Sequence, residues 1–153
     1  MKRGIIKGVA LLMLTVLLVT SLSGCANKEV KSLIGRFESS CQNMDVDGIL
    51  DCCNPAIVSP LRGLLGILGV KDLNGIIENL SSILGAIDFK DDSPEEVLKT
   101  LRIKPSKYVT NDAKDGCDVY ATLSYTVDGK TTEKSVRITC AKGNDGWYIK
   151  GIR

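Results

Sequence analysis

The chain has 153 residues, with 20 Lys and Arg against 18 Asp and Glu, six cysteines and no histidine. That length suits one domain around a single core. The near balance of charge excludes a strongly basic nucleic-acid binder. The missing histidine excludes Ser-His-Asp and Cys-His catalysis as usually built, and His-ligated zinc.

In chain order, the first segment is basic and then apolar. Lys2, Arg3 and Lys7 precede Val9 to Val19, which reads VALLMLTVLLV. The run is about half of the roughly 20 residues that span a bilayer. With small residues after it, it describes a secretory signal peptide over residues 1–24. Leu22-Ser23-Gly24-Cys25 resembles the lipobox of bacterial lipoproteins, an aliphatic residue and two small ones before a cysteine. The resemblance implies cleavage before Cys25 and a diacylglyceryl group on its thiol. The expected location is therefore the outer face of the cell membrane, reached by export and held by lipid. Losing Lys2, Arg3 and Lys7 takes the formal charge from +2 to about −1. Residues 25–28 are expected to form the lipidated start and a tether of little more than ~10 Å. The domain, 29–153, then rides close to the membrane.

Helices are predicted first, over about 29–101. Val30, Leu33, Ile34, Phe37 and Cys41 make one amphipathic stripe. Asp45 is placed to cap a second helix carrying Val46, Ile49, Leu50 and Cys53, which Asn54-Pro55 ends. Ser59-Pro60 reads as the start of a third helix. Asp72 reads as the cap of a fourth, with Leu73, Ile76, Ile77, Leu80, Ile83, Leu84 and Ile87 on one face. Ser93-Pro94-Glu95-Glu96 reads as a capping box. The apolar segment Ile57 to Phe89 admits three uses: core packing, a mobile wall around a ligand, or a face laid on the membrane or a partner.

After Pro105 the period becomes two, giving strands over about 106–153. Cys117 to Val127 alternates apolar and polar residues, and Asp128-Gly129 is a preferred two-residue hairpin turn. That turn sets Val127 opposite Lys130, Ala121 opposite Val136, Val119 opposite Ile138 and Cys117 opposite Cys140, all on the apolar face. Gly143 to Gly146 turns into a last strand with Trp147 and Ile149 inward. Lys107 to Asn111 adds a strand before the hairpin. The predicted fold is α+β, with N-terminal helices packed on a curved antiparallel meander sheet.

The helical pair with DVDGILDCCNP, the segment SPEEVLKTL and the meander ending DGWYIKGI resemble the nuclear transport factor 2-like superfamily. More narrowly they resemble small uncharacterised lipoproteins of Gram-positive bacteria with that cystatin-like cone. The resemblance implies that cone as the fold, and the domain is read as non-catalytic, its cone holding a small apolar or amphipathic ligand. Its sheet wall would carry Val119, Leu123, Tyr125, Val136, Ile138 and Trp147, with Tyr125, Thr132 and Lys134 supplying polar contacts. An envelope protein-protein interaction module is the competing reading, and an enzyme of unknown activity the third. No catalytic residue, metal or cofactor is assigned. The partners expected are the membrane through lipid on Cys25 and a small apolar ligand or an envelope protein, not nucleic acid.

The other five cysteines are an odd number for an exported chain. Cys117 and Cys140 are the candidate disulfide, because facing Cα atoms fall within bridging range. Cys41 fits Cys52 or Cys53 less well, since their offset along an antiparallel helix pair adds to the interaxial distance. Cys53 reads as a buried thiol.

Overall fold

The structure is a computed structural model that describes residues 26–68, 73–80, 82–87, 89 and 93–153. The expected signal peptide, the expected lipidation site Cys25 and the expected cap Asp72 lie outside the described residues.

α1, residues 26–42, is built by its apolar stripe. Val30, Leu33, Ile34, Phe37 and Cys41 are all buried, each large apolar side chain contributing about 1.5–3 kcal/mol. Residues 26–28, expected as a tether, are instead its first turn, and Ala26 is only 8 % exposed. α2 (Val46–Asp51) is capped as expected, with Asp45 Oδ1 accepting from the Gly48 amide at 3.1 Å.

α3 (Pro55–Leu68) begins four residues before the expected Ser59-Pro60 start, leaving Pro60 inside the helix. Asn54 accounts for the difference. Its side chain accepts from the Ala56 amide at 3.1 Å, and its carbonyl accepts from Ile57 and Val58. Pro55 then takes the first-turn position that suits proline.

α4 (Leu73–Leu80) stops short of the apolar stripe that was expected to continue to Ile87. Ile83, Leu84 and Ile87 are buried nonetheless. The backbone leaves the helix because its polar groups find partners elsewhere: Ile152 donates to the Ile83 carbonyl at 2.6 Å, and Ala86 donates to the Ile152 carbonyl at 3.0 Å. α5 (Pro94–Thr100) starts at Ser93, but that hydroxyl makes no capping bond, so the capping box does not form. Glu95 instead pairs with Lys99 one turn on.

Four strands follow: β1 (Arg102–Thr110), β2 (Gly116–Val127), β3 (Lys130–Gly143) and β4 (Gly146–Ile152). They pair in sequence order as an antiparallel sheet. β1 starts earlier than expected and contains Pro105, which an edge strand accepts. The pairing slips there by one residue at Ser106. The central hairpin holds the expected register from Val127↔Lys130 to Cys117↔Cys140 without a break. Asp128 and Gly129 sit at φ 49° and 74°, the left-handed region that a type I′ turn demands at both positions.

Helices cover one face of this sheet, and the fold is α+β. The β4 edge is covered too. Ile149 donates to the Cys52 carbonyl at 2.8 Å, and residues 83–86 cap the end at Ile152. Backbone pairing of that kind removes an edge open to aggregation.

Candidate functional site

The positions expected to wall a ligand cavity all face the helices. Val119, Leu123 and Ile138 are fully buried, and Tyr125, Val136 and Trp147 nearly so. These six pack in one apolar cluster with side chains of α1, α5 and residues 83–87. Thr132 and Lys134 are half-buried toward the hairpin tip, opposite Tyr125 and Leu123. Among the described residues, depressions of about 330, 380 and 550 Å³ lie at the surface, and Trp147 alone of these eight lines any of them.

Trp147 closes the 380 Å³ depression, which runs along the first turns of α1 between Lys28, Arg36 and Lys142. Its indole N–H donates to Glu29 Oε2 at 2.9 Å. Lys142 Nζ lies 3.9 Å from the same carboxylate. Thr110 Oγ1 bonds Asn27 Oδ1 at 3.2 Å. The start of α1 is thus tied to β1, β3 and β4 at one end of the sheet.

The cysteines are arranged as the register demands, and all five described thiols are free. Cys117 faces Cys140. Lys142 donates to the Asp115 carbonyl at 2.7 Å, which makes those two a hydrogen-bonded pair. Two residues along the unbroken ladder, Cys117 and Cys140 are a hydrogen-bonded pair as well. Such pairs hold their side chains farther apart than non-hydrogen-bonded ones, at the wide end of about 4.5–5.5 Å between Cβ atoms. A disulfide wants about 3.5–4.5 Å. A Cys117–Cys140 bridge would draw these side chains closer than that spacing, while the facing Cα atoms of such a pair, about 5.5 Å apart, stay within bridging range. Cys117 Sγ lies 3.9 Å from both Thr110 Oγ1 and the Asp118 carbonyl. Burial pushes the Cys140 thiol up to about 12, and the Cys53 thiol likewise to about 12. Burial also raises Cys41, and raises Cys52 against the lowering pull of Arg36.

In the sequence the outward face of the sheet shows only as the polar side of alternating strands. In the fold it carries Arg102, Lys104, Lys107, Arg137, Lys150 and Arg153 against Asp118 and Glu133. Arg102 reaches Glu38 at 3.5 Å. Asp118 accepts from Thr139 Oγ1 at 3.0 Å. The exposed large apolar side chains, Val109 at 44 % and Tyr120 at 42 %, stand on the same face. Two depressions, of about 550 and 330 Å³, share Asp118, Thr139 and Lys150 and so form one groove across this surface. Tyr148 lies at its end over Gly143, where an added Cβ would meet the ring at 3.2 Å.

Among the described residues no cluster of His, Cys, Asp or Glu converges as metal ligands, and no helix is long and apolar enough to cross a membrane. No family model, curated protein or solved structure matches the chain.

Proposed function

We propose that the protein is a lipid-anchored envelope lipoprotein whose domain works by binding at its surface. The lipobox Leu22-Ser23-Gly24-Cys25 supplies the anchor. The observation that carries the reading is the burial of Ala26 within the first turn of α1. The residue next to the lipidation site is already part of the core. Anchor and domain then meet without a linker, and lipid on Cys25 holds the domain at the membrane surface. Two acyl chains suffice for stable attachment. Helices followed by a meander are the part of the nuclear transport factor 2-like resemblance that supports this architecture.

Surface binding is preferred to an apolar cavity for a specific reason. The apolar residues that would wall the cavity pack together in the core cluster, whereas most of the sheet's cationic side chains and the exposed Tyr120 stand on the outward sheet face.

The anchor is tested by fractionating cells that make the Cys25→Ala protein. The wild-type chain should sediment with membranes and the variant should leave them. Equal membrane retention of both would end the lipoprotein reading.

A further inference from the structure

We propose that the outward sheet face is a binding site for a linear polyanion, a chain of closely linked phosphate groups that carries no bases. One like-charge pair stands on this face. Arg137 and Arg153 donate to each other's carbonyls at 2.7 and 3.0 Å, so they are directly opposite residues. Their guanidinium groups leave the sheet on the same side and line the same depression. Like charges directly opposite destabilise a sheet. Among the described residues neither arginine is ion-paired, and neither are Lys107 or Lys150; Asp118 is the carboxylate that lines the arginines' depression.

Register extends the pair into a row. Lys107 faces Tyr120, Tyr120 faces Arg137, and Arg137 faces Arg153. With strands about 4.8 Å apart, the row crosses the whole sheet with charge at both ends and an exposed aromatic between. Lys150, the extra residue where the pairing of β3 with β4 slips, adds a further cation beside it. The face is strongly positive on a chain whose charges nearly balance, a polarity that focuses counter-ions.

The shape selects the occupant. A flat bilayer meets a flat or convex surface, whereas Arg137, Arg153 and Lys150 line a groove that continues past Asp118 and Thr139 toward Asp115 and Lys142. A flexible chain fits a groove. Base-stacking recognition of single-stranded nucleic acid needs successive exposed aromatics, and Tyr120 is the one aromatic with large exposure here. Phosphate groups without bases match what the face offers: guanidinium and ammonium donors in line, with Arg able to grip phosphate in a bidentate manner.

The proposal does not rest on the lipid anchor, so its test is separate from that of the anchor. Fluorescent long-chain inorganic polyphosphate is titrated with the full chain over a range of salt. Binding is expected, with log K falling linearly in log[salt] through counter-ion release. Arg137→Gln with Arg153→Gln should lower affinity at least ~10-fold and reduce the salt slope by about one to two. The same variant should unfold at equal or higher urea, because a repulsion has been removed. That combination separates loss of a site from loss of fold. Lys99→Gln, on a helix, should change nothing. Orthophosphate at equal total phosphate should compete weakly. The proposal is overturned if the double variant binds polyphosphate like wild type, or if orthophosphate competes equally. It is also overturned if anionic vesicles or single-stranded DNA are preferred to polyphosphate at the same salt.

Discussion

Trp147 on β4 donates its indole N–H to Glu29 on the second turn of α1, 2.9 Å away and 118 residues apart in sequence. That bond joins the last strand to the helix that follows the proposed lipidation site. Glu29 is more than half exposed, so the bond contributes toward the low end of the usual range for a charged acceptor. Replacing Glu29 with Ala should lower stability by about 0.5–1.5 kcal/mol. As the chain has a single tryptophan, its emission reports the same change as a red shift in the folded protein. A urea midpoint and an emission maximum both equal to wild type would contradict the assignment.

Leu123 faces Lys134 in the central hairpin and is completely buried. If its side chain packs in the core, Leu123→Ala leaves a cavity and should cost about 2–5 kcal/mol in urea or thermal unfolding. Were the wall of a pre-existing ligand cavity at this position instead, truncation would cost well under 2 kcal/mol, because no packing contacts would be lost on that side.

Pro60 is inside α3 and exposed. It removes the amide that would bond the carbonyl of Ala56, one turn earlier. Pro60→Ala should therefore stabilise the chain, by about 1–3 kcal/mol. A neutral or lower unfolding midpoint would show that the helix begins at Ser59-Pro60 after all.

The buried thiols give stability a pH dependence of defined sign. Cys53 and Cys140 are raised to about 12 in the fold, while an unfolded cysteine titrates near 8.5. At pH 7 the thiols are neutral in both states and their contribution is complete. Between about pH 9 and 12 the unfolded chain has released protons that the folded chain keeps, so stability falls as pH rises. Each of the two should remove about 1.4 kcal/mol per pH unit in that window. Urea midpoints at pH 7 and 10 measure the slope, and Cys140→Ala should reduce it by one proton. A slope unchanged by that substitution would refute the assignment.

The same burial predicts how the chain reacts with thiol reagents. The five described cysteines should label slowly in the native state and fully in urea. Mild oxidation should leave Cys117 and Cys140 unbridged, because a hydrogen-bonded strand pair spreads their Cβ atoms. A native-state disulfide found between them by peptide mapping would show that the strands adjust.

Much of the fold was legible because it rests on local rules. The stripe Val30 to Cys41 obeys a helical period, and Asp128-Gly129 fixes the hairpin register through backbone conformation that few other residues adopt. What was not legible is non-local backbone pairing. Nothing in the side chains of Ile83 and Ala86 announces that their backbone groups serve Ile152. Pro60 misled because proline in a first turn and proline inside a helix look alike until Asn54 is known to cap. The cationic row was hidden for a similar reason. Lys107, Arg137 and Arg153 become neighbours only through two slips in pairing, at Ser106 and Lys150, and a strand pattern read alone carries neither. Alternation identified the outward face but gave no account of its charge.

The central claim is the lipid anchor abutting the fold at Ala26. Its most direct test is mass spectrometry of the N-terminal peptide from protein purified out of membranes. The account predicts a peptide that begins at Cys25 and carries a diacylglyceryl group on its sulfur. A peptide that runs upstream through Ser23 and Gly24, or one with an unmodified Cys25 thiol, would contradict it.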